Sequence, residues 1–335
     1  GANPGASRCH SLFFTVLVME IPSALLSAIE RNTFRKASPA VQVLIDEILA
    51  RHGQAAQGVL FYGSCLRSGD DLDGLVDLYL LVDSYRNAYS GCLEALLNAL
   101  LPPNVFYLER EFEGQTVRTK YAVLSLADFQ KGTSKRWFHS YLWGRFSQPT
   151  AILYARNEAV EKMVLKGFAR SVLTFTHRVL PRLATEFSAR QLWGRGLELS
   201  YRAELRAERP EKRARLFDAA PQYYEEVTRL SMDTNSFPVA AIAGTDPTLY
   251  RARISDGVRW VSRFTWALRS WQGKLLSVLR LVKAMTTFEG GVDYILWKIN
   301  RHSGVAVDLE PRLRRHPLLA MWVLSWRLYR RGGFR

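Results

Sequence analysis

Cysteine is scarce in this chain. There are three in 335 residues, Cys9, Cys65 and Cys92, an odd number with no CxxC spacing. That argues against a disulfide framework and a thiolate zinc site, and it favours a reducing compartment. No run of 18 or more apolar residues occurs, so no transmembrane helix is predicted. Internal repeats and low-complexity segments are also lacking. Acid is short relative to base, with 31 Asp+Glu against 46 Lys+Arg and a net charge of +15. The imbalance points to an anionic partner: nucleic acid, nucleotide or anionic lipid. At 48% hydrophobic residues the chain is no disordered polymer, and its length accommodates two domains.

The charge is concentrated. From Arg251 to the end there are 17 Lys/Arg and 5 Asp/Glu, together with six of the nine tryptophans. Basic residues interleaved with Trp suit a membrane interface, where the ring sits at headgroup depth and the cation meets phosphate. They also suit single-stranded nucleic acid. At the other end, Ser11–Val18 is apolar but lacks a basic flank and an AxA site, which speaks against a signal peptide. Met19 reads as an alternative start, and residues 1–18 are left out of the fold reading. His10 beside Cys9 reads as incidental.

Ala40–His52 carries apolar residues at helical spacing behind Ser38-Pro39, a cap followed by a first-turn proline. Gly58–Ser64 reads as a strand ending in Gly-Ser, and Leu75–Asp83 as a second strand with Asp77 near its start. Ala88–Leu101 reads as a helix stopped by Pro102-Pro103. Val105–Phe112 and Val117–Leu124 form a hairpin about Glu113-Gly114. Ala159–Leu180, Leu192–Arg206 and Pro221–Ser231 read as further helices, with Phe237-Pro238 and Gly244–Pro247 as a boundary loop. The expected class is α+β, divided at 19–150, 151–255 and 256–335. In the last part, Arg269 and Arg280 are about three turns apart and share a helix face. His316–Arg331 reads as a short amphipathic helix for the membrane interface.

The main chemical signal is the Gly63-Ser64 turn followed by Asp77. A small turn lets backbone N–H groups and a hydroxyl approach phosphate oxygens. A strand-borne Asp can hold Mg²⁺ against a triphosphate. Asp77 in an otherwise apolar run is costly unless paired or metal-bound. This is the pattern of the nucleotidyltransferase (polymerase-β-like) fold, with Tyr79 at the position of the second acid. Asp83, Glu109, Glu111 and Glu204 are candidates for the missing carboxylate. Asp70, Asp71 and Asp73 read as a solvated loop, and Trp137 and Tyr141 as core residues on one helical face.

Several segments in order resemble the mitochondrial-type CDP-diacylglycerol synthases, the translocator assembly and maintenance protein family. They are Phe61-Tyr62-Gly63-Ser64, Val76-Asp77-Leu78, Lys120-Tyr121-Ala122, Trp137 to Pro149 (with Tyr141, Gly144 and Arg145), and Leu199-Ser200-Tyr201 to Arg206. The stretch covered runs from Gly58 to Gly304. The chain departs from the family at Cys65, Gln148 and Ala203-Glu204, which bears on the lipid acceptor. The resemblance implies a nucleotidyltransferase domain followed by a mainly helical, winged-helix-like domain. It also implies CMP transfer from CTP to phosphatidic acid, with Mg²⁺ as cofactor. Asp77 and Glu204 would be the metal ligands, and Tyr62, Gly63, Ser64, Lys120 and Arg145 would bind nucleotide. Lys120 and Arg145 would offset triphosphate charge. His139 and His177 are assigned to structure. A bacterial relative is expected, peripheral on the cytoplasmic side of the membrane, or on the mitochondrial inner membrane if eukaryotic. The basic C-terminal region would meet an anionic membrane surface rather than nucleic acid. Two other classes stay open: a nucleotidyltransferase acting on RNA, protein or a small molecule, and a non-catalytic lipid- or nucleic-acid-binding relative.

Overall fold

A computed structural model describes residues 20–69, 74–204 and 215–287. The acidic cluster at 70–73, the Cys9-His10 pair and the helix read over 316–331 lie outside the described residues. The fold is mixed α+β, and its centre is a five-stranded sheet in the order β3-β4-β2-β1-β5. The strands are β1 (Ala56–Tyr62), β2 (Val76–Val82), β3 (Asn104–Phe112), β4 (Gln115–Ser125) and β5 (Ala151–Ala155). Only β2 and β4 run parallel. The β3–β4 turn takes positive φ at both Glu113 and Gly114, the twist a two-residue hairpin needs.

Alternation sorts the sheet's residues between two cores. Val59, Phe61, Leu78, Leu80, Tyr121 and Val123 face helix α2 (Pro39–His52). Ser38 caps α2 through Val41 N, with Pro39 in the first turn as expected. Leu60, Tyr79, Leu81, Ala122 and Leu124 face the opposite layer, which includes α1 (Ser23–Thr33) and the 22-residue α8 (Glu158–Val179). That second core runs on to Trp266 without a break.

Between β1 and β5 the described residues form five short helices: α3 (Ser64–Ser68), α4 (Tyr85–Ala88), α5 (Cys92–Leu100), α6 (Leu126–Gly132) and α7 (Trp143–Phe146), with α4 and α5 replacing the single helix read over Ala88–Leu101. Gly91 stands just before α5, where the extended backbone of Tyr89 and Gly91 interrupts the helix. Beyond α8 come β6 (Glu186–Ser188), α9 (Ala189–Arg202) and α10 (Pro221–Met232). A reciprocal Ser188–Gln191 capping box starts α9. The expected boundary loop is instead a hairpin, β7 (Val239–Ile242) and β8 (Leu249–Ala252), which completes a sheet in the order β6-β8-β7. Polar turn residues between two short apolar runs account for both the misreading and the hairpin. The last described element is α11 (Asp256–Thr287), 32 residues long.

Candidate active site

The site begins at the end of β1. Strand pairing places Tyr62 opposite Asp77, and Asp77 opposite Lys120. Cross-strand partners share a face, so the three side chains form a row on the face that carries Tyr79 and Leu81. One pleat further along, that face is packed core. At the row, the core gives way to a cavity of about 610 Å³.

Gly63 makes the turn with φ +95°, a conformation reserved for glycine. A Cβ there would stand 2.7 Å from Asp77 Oδ2. The turn therefore brings bare backbone against the carboxylate, which any side chain would prevent. Ser64 follows directly, and both line the cavity with Tyr62 and Asp77.

Two ion pairs face the cavity. Lys120 Nζ lies 3.1 Å from Asp77 Oδ1, with the side chains 32% and 21% exposed. Arg145 lies 3.7 Å from Glu204, more shielded at 14% and 10%. The Arg145 guanidinium sits over the Tyr141 ring at 4.8 Å and the Tyr62 ring at 5.0 Å, with Tyr79 at 6.0 Å. Burial opposes its charge, but Tyr79, Tyr62, Tyr141 and Glu204 outweigh burial and keep it protonated. Burial pushes the Tyr62 phenol up to about 12, so near neutral pH it is a neutral hydrogen-bonding group.

All seven sequence-predicted residues line this one cavity: Tyr62, Gly63, Ser64, Asp77, Lys120, Arg145 and Glu204. The other candidate carboxylates do not. Asp83 binds Ser84 N and Asn87, Glu109 accepts from Tyr107, and Glu111 accepts from Thr116. Glu204 is not within a helix, as its sequence context predicts. Helix α9 ends at Arg202, and Glu204 lies in the turn that follows, where its backbone N–H reaches Tyr201 O. Trp137 and Tyr141 are likewise outside any helix; both pack against the core as expected, and Tyr141 also lines the cavity. Arg67 and Arg215 were not foreseen and add two cations to the lining. Arg67 follows Ser64 by three residues and could have been found from that spacing. Arg215 carries no sequence signal. His139 is buried and accepts from Tyr141 N, and burial lowers it to about 3, in keeping with a structural role.

Among the described residues there is no cluster of three or more His, Cys, Asp or Glu able to hold a metal by themselves. A magnesium ion bound mainly through substrate phosphates needs only one or two carboxylates. Asp77 and Glu204, both opening on the cavity, fit that requirement.

Comparison with protein-family models and with curated proteins finds no match. A solved structure described as a nucleotidyltransferase-like protein from Exiguobacterium sibiricum 255-15 is similar to this chain at 14% identity. The match covers 73% of this chain and 78% of that one, with a TM-score of 0.22.

Proposed function

We propose that the chain is a nucleotidyltransferase that moves CMP from CTP to phosphatidic acid, releasing pyrophosphate. One observation carries the reading. A glycine turn presses against a strand-borne aspartate, and two ion-paired cations open on the same cavity. Backbone and hydroxyl at Gly63-Ser64 suit phosphate oxygens. Asp77 and Glu204 would hold Mg²⁺, which would supply positive charge to offset that of the phosphates. Lys120 and Arg145 face the charge that builds as pyrophosphate leaves.

The lipid phosphate is a monoester with a second pKa of about 6 and is largely ionised at neutral pH. Its oxygen attacks the α-phosphorus in line, and the bond to the β-phosphate breaks. No side chain need remove a proton, which agrees with the structural placement of His139. The resemblance supports the lipid acceptor, and so does the basic region at 256–335, which suits an anionic membrane surface. No described helix is long and apolar enough to cross a membrane.

Incubation with labelled CTP, Mg²⁺ and phosphatidic acid vesicles tests this. Lipid-linked CMP is expected, falling at least about 100-fold in Asp77→Asn. Folded wild-type protein that forms no lipid-linked CMP would overturn the lipid assignment. Labelled RNA or protein in the same assay would instead identify the acceptor.

A further inference from the structure

Three cations of helix α11 point inward, while a row of its large apolar side chains points out. Arg269 Nε donates to Phe138 O at 2.6 Å, Arg280 Nε to Pro102 O at 2.9 Å, and Lys283 Nζ to Pro103 O at 3.0 Å. Trp266 is buried beside them and donates to Arg178 O. On the opposite side, Val261, Phe264, Leu268, Trp271, Leu275, Val278 and Val282 follow one another at steps of three and four residues. Each is between 45% and 66% exposed. That is the a/d spacing of a helix that meets another helix, held for three heptads over about 32 Å. Trp260 and Leu279 widen the stripe, and both are exposed. A contiguous apolar face of this size marks an interaction surface.

We infer that the occupant of this seam is the chain's own C-terminal segment, residues 316–331, folded back along α11. Three observations favour it. The segment begins within 30 residues of the helix end, and Gly290-Gly291 stand just beyond Thr287, where a reversal is needed. Leu319, Trp322, Trp326 and Tyr329 repeat the three–four–three spacing that complements an a/d seam. The tether supplies an effective concentration in the millimolar range. A second copy would instead bring together two C-terminal regions that each carry 17 Lys/Arg and 5 Asp/Glu. This leaves Arg327, Arg330 and Arg331, at the end of the segment, to meet anions through charge. The inference is independent of the catalytic reading, since neither assay below involves nucleotide.

Hydrogen exchange on the full chain tests it, in wild type and in Leu268→Glu/Leu275→Glu. A monomer is expected, with amides of 316–331 protected at least tenfold in wild type and released in the variant. A photo-crosslinker placed at Leu275 supplies a second readout that does not depend on the variant's folding, and should yield adducts within one chain to 316–331. Free exchange of 316–331 in wild type overturns the inference. So do crosslinks between chains, which would indicate a second copy. Crosslinks only to lipid, in phosphatidylglycerol vesicles, would overturn it in favour of a membrane occupant.

Discussion

Gly63 and Asp77 depend on each other. Replacing Gly63 by alanine forces a side chain into a glycine-only backbone conformation and drives Cβ against the Asp77 carboxylate. A cost of about 1–3 kcal/mol is expected from the backbone alone. Thermal unfolding of Gly63→Ala should show that loss, and nucleotide affinity should fall with it as Asp77 shifts. The buried His139 makes a different prediction. Its folded pKa is lowered to about 3 by burial, with Arg280 and Arg269 adding to the effect. The unfolded chain therefore binds the proton first as pH falls below 6.5. Stability should drop through the window from 6.5 towards 3, with a slope of up to about 1.4 kcal/mol per pH unit. His139→Asn should flatten that part of a denaturant-midpoint against pH curve, and an unchanged slope would show that His139 is not the group responsible.

Among the elements, α11 braces the cavity wall from behind. Arg280 lies 4.4 Å over the Tyr141 ring, and Arg145 lies 4.8 Å from the same ring. Gly273 sits so close to the end of α9 that an added Cβ would lie 2.0 Å from Ala203 O and 2.6 Å from His139 Nε2. The backbone at Ala203 cannot yield without moving Glu204. Gly273→Ala should therefore lower the melting temperature by several degrees and weaken nucleotide binding together. Arg280→Met should preserve the fold better and raise the KM for nucleotide several-fold, because Tyr141 loses the cation that holds its ring. An unchanged KM would mean that Arg145 needs no such support.

The elements also show what a sequence can and cannot convey. Strands β1 and β2, the β3–β4 hairpin and helices α2, α8 and α10 are legible because each has a clear period, with a turn at Glu113-Gly114 for the hairpin and starts at Ser38-Pro39, Asn157 and Pro221 for the helices. The β7–β8 hairpin is not legible, since four-residue strands are too short to display alternation. The four-residue spacing of Trp137 and Tyr141 suggests one helix face, but the chain there makes turns.

Taken whole, the molecule joins residues far apart in the chain into one site. Asp77 and Lys120 were legible as local signals on strands, but their pairing depends on parallel contact between β2 and β4. Glu204, marked in the sequence only through the resemblance, and Arg215, which has no signal, join the cavity by long-range packing. At this scale the net charge of +15 also has a measurable consequence. Binding to anionic vesicles should weaken steeply between about 50 and 200 mM salt, as the Debye length shortens to about 7 Å. Sedimentation with vesicles across that range would show it, and salt-independent binding would imply insertion rather than charge.

The row formed by Tyr62, Asp77 and Lys120 is in effect stored as a parity. Successive strand residues face opposite sides, so Asp77 addresses the cavity only because its position counts correctly from its partners. Deleting one residue from the part of β2 that follows Asp77 leaves a choice: keep the core in register and turn the aspartate to the α2 side, or keep the aspartate and put every residue beyond the gap on the wrong face. Removing two residues restores the sidedness but moves the acid one pair along. Length variation in this protein is therefore constrained within the strand, even where no single side chain there is indispensable.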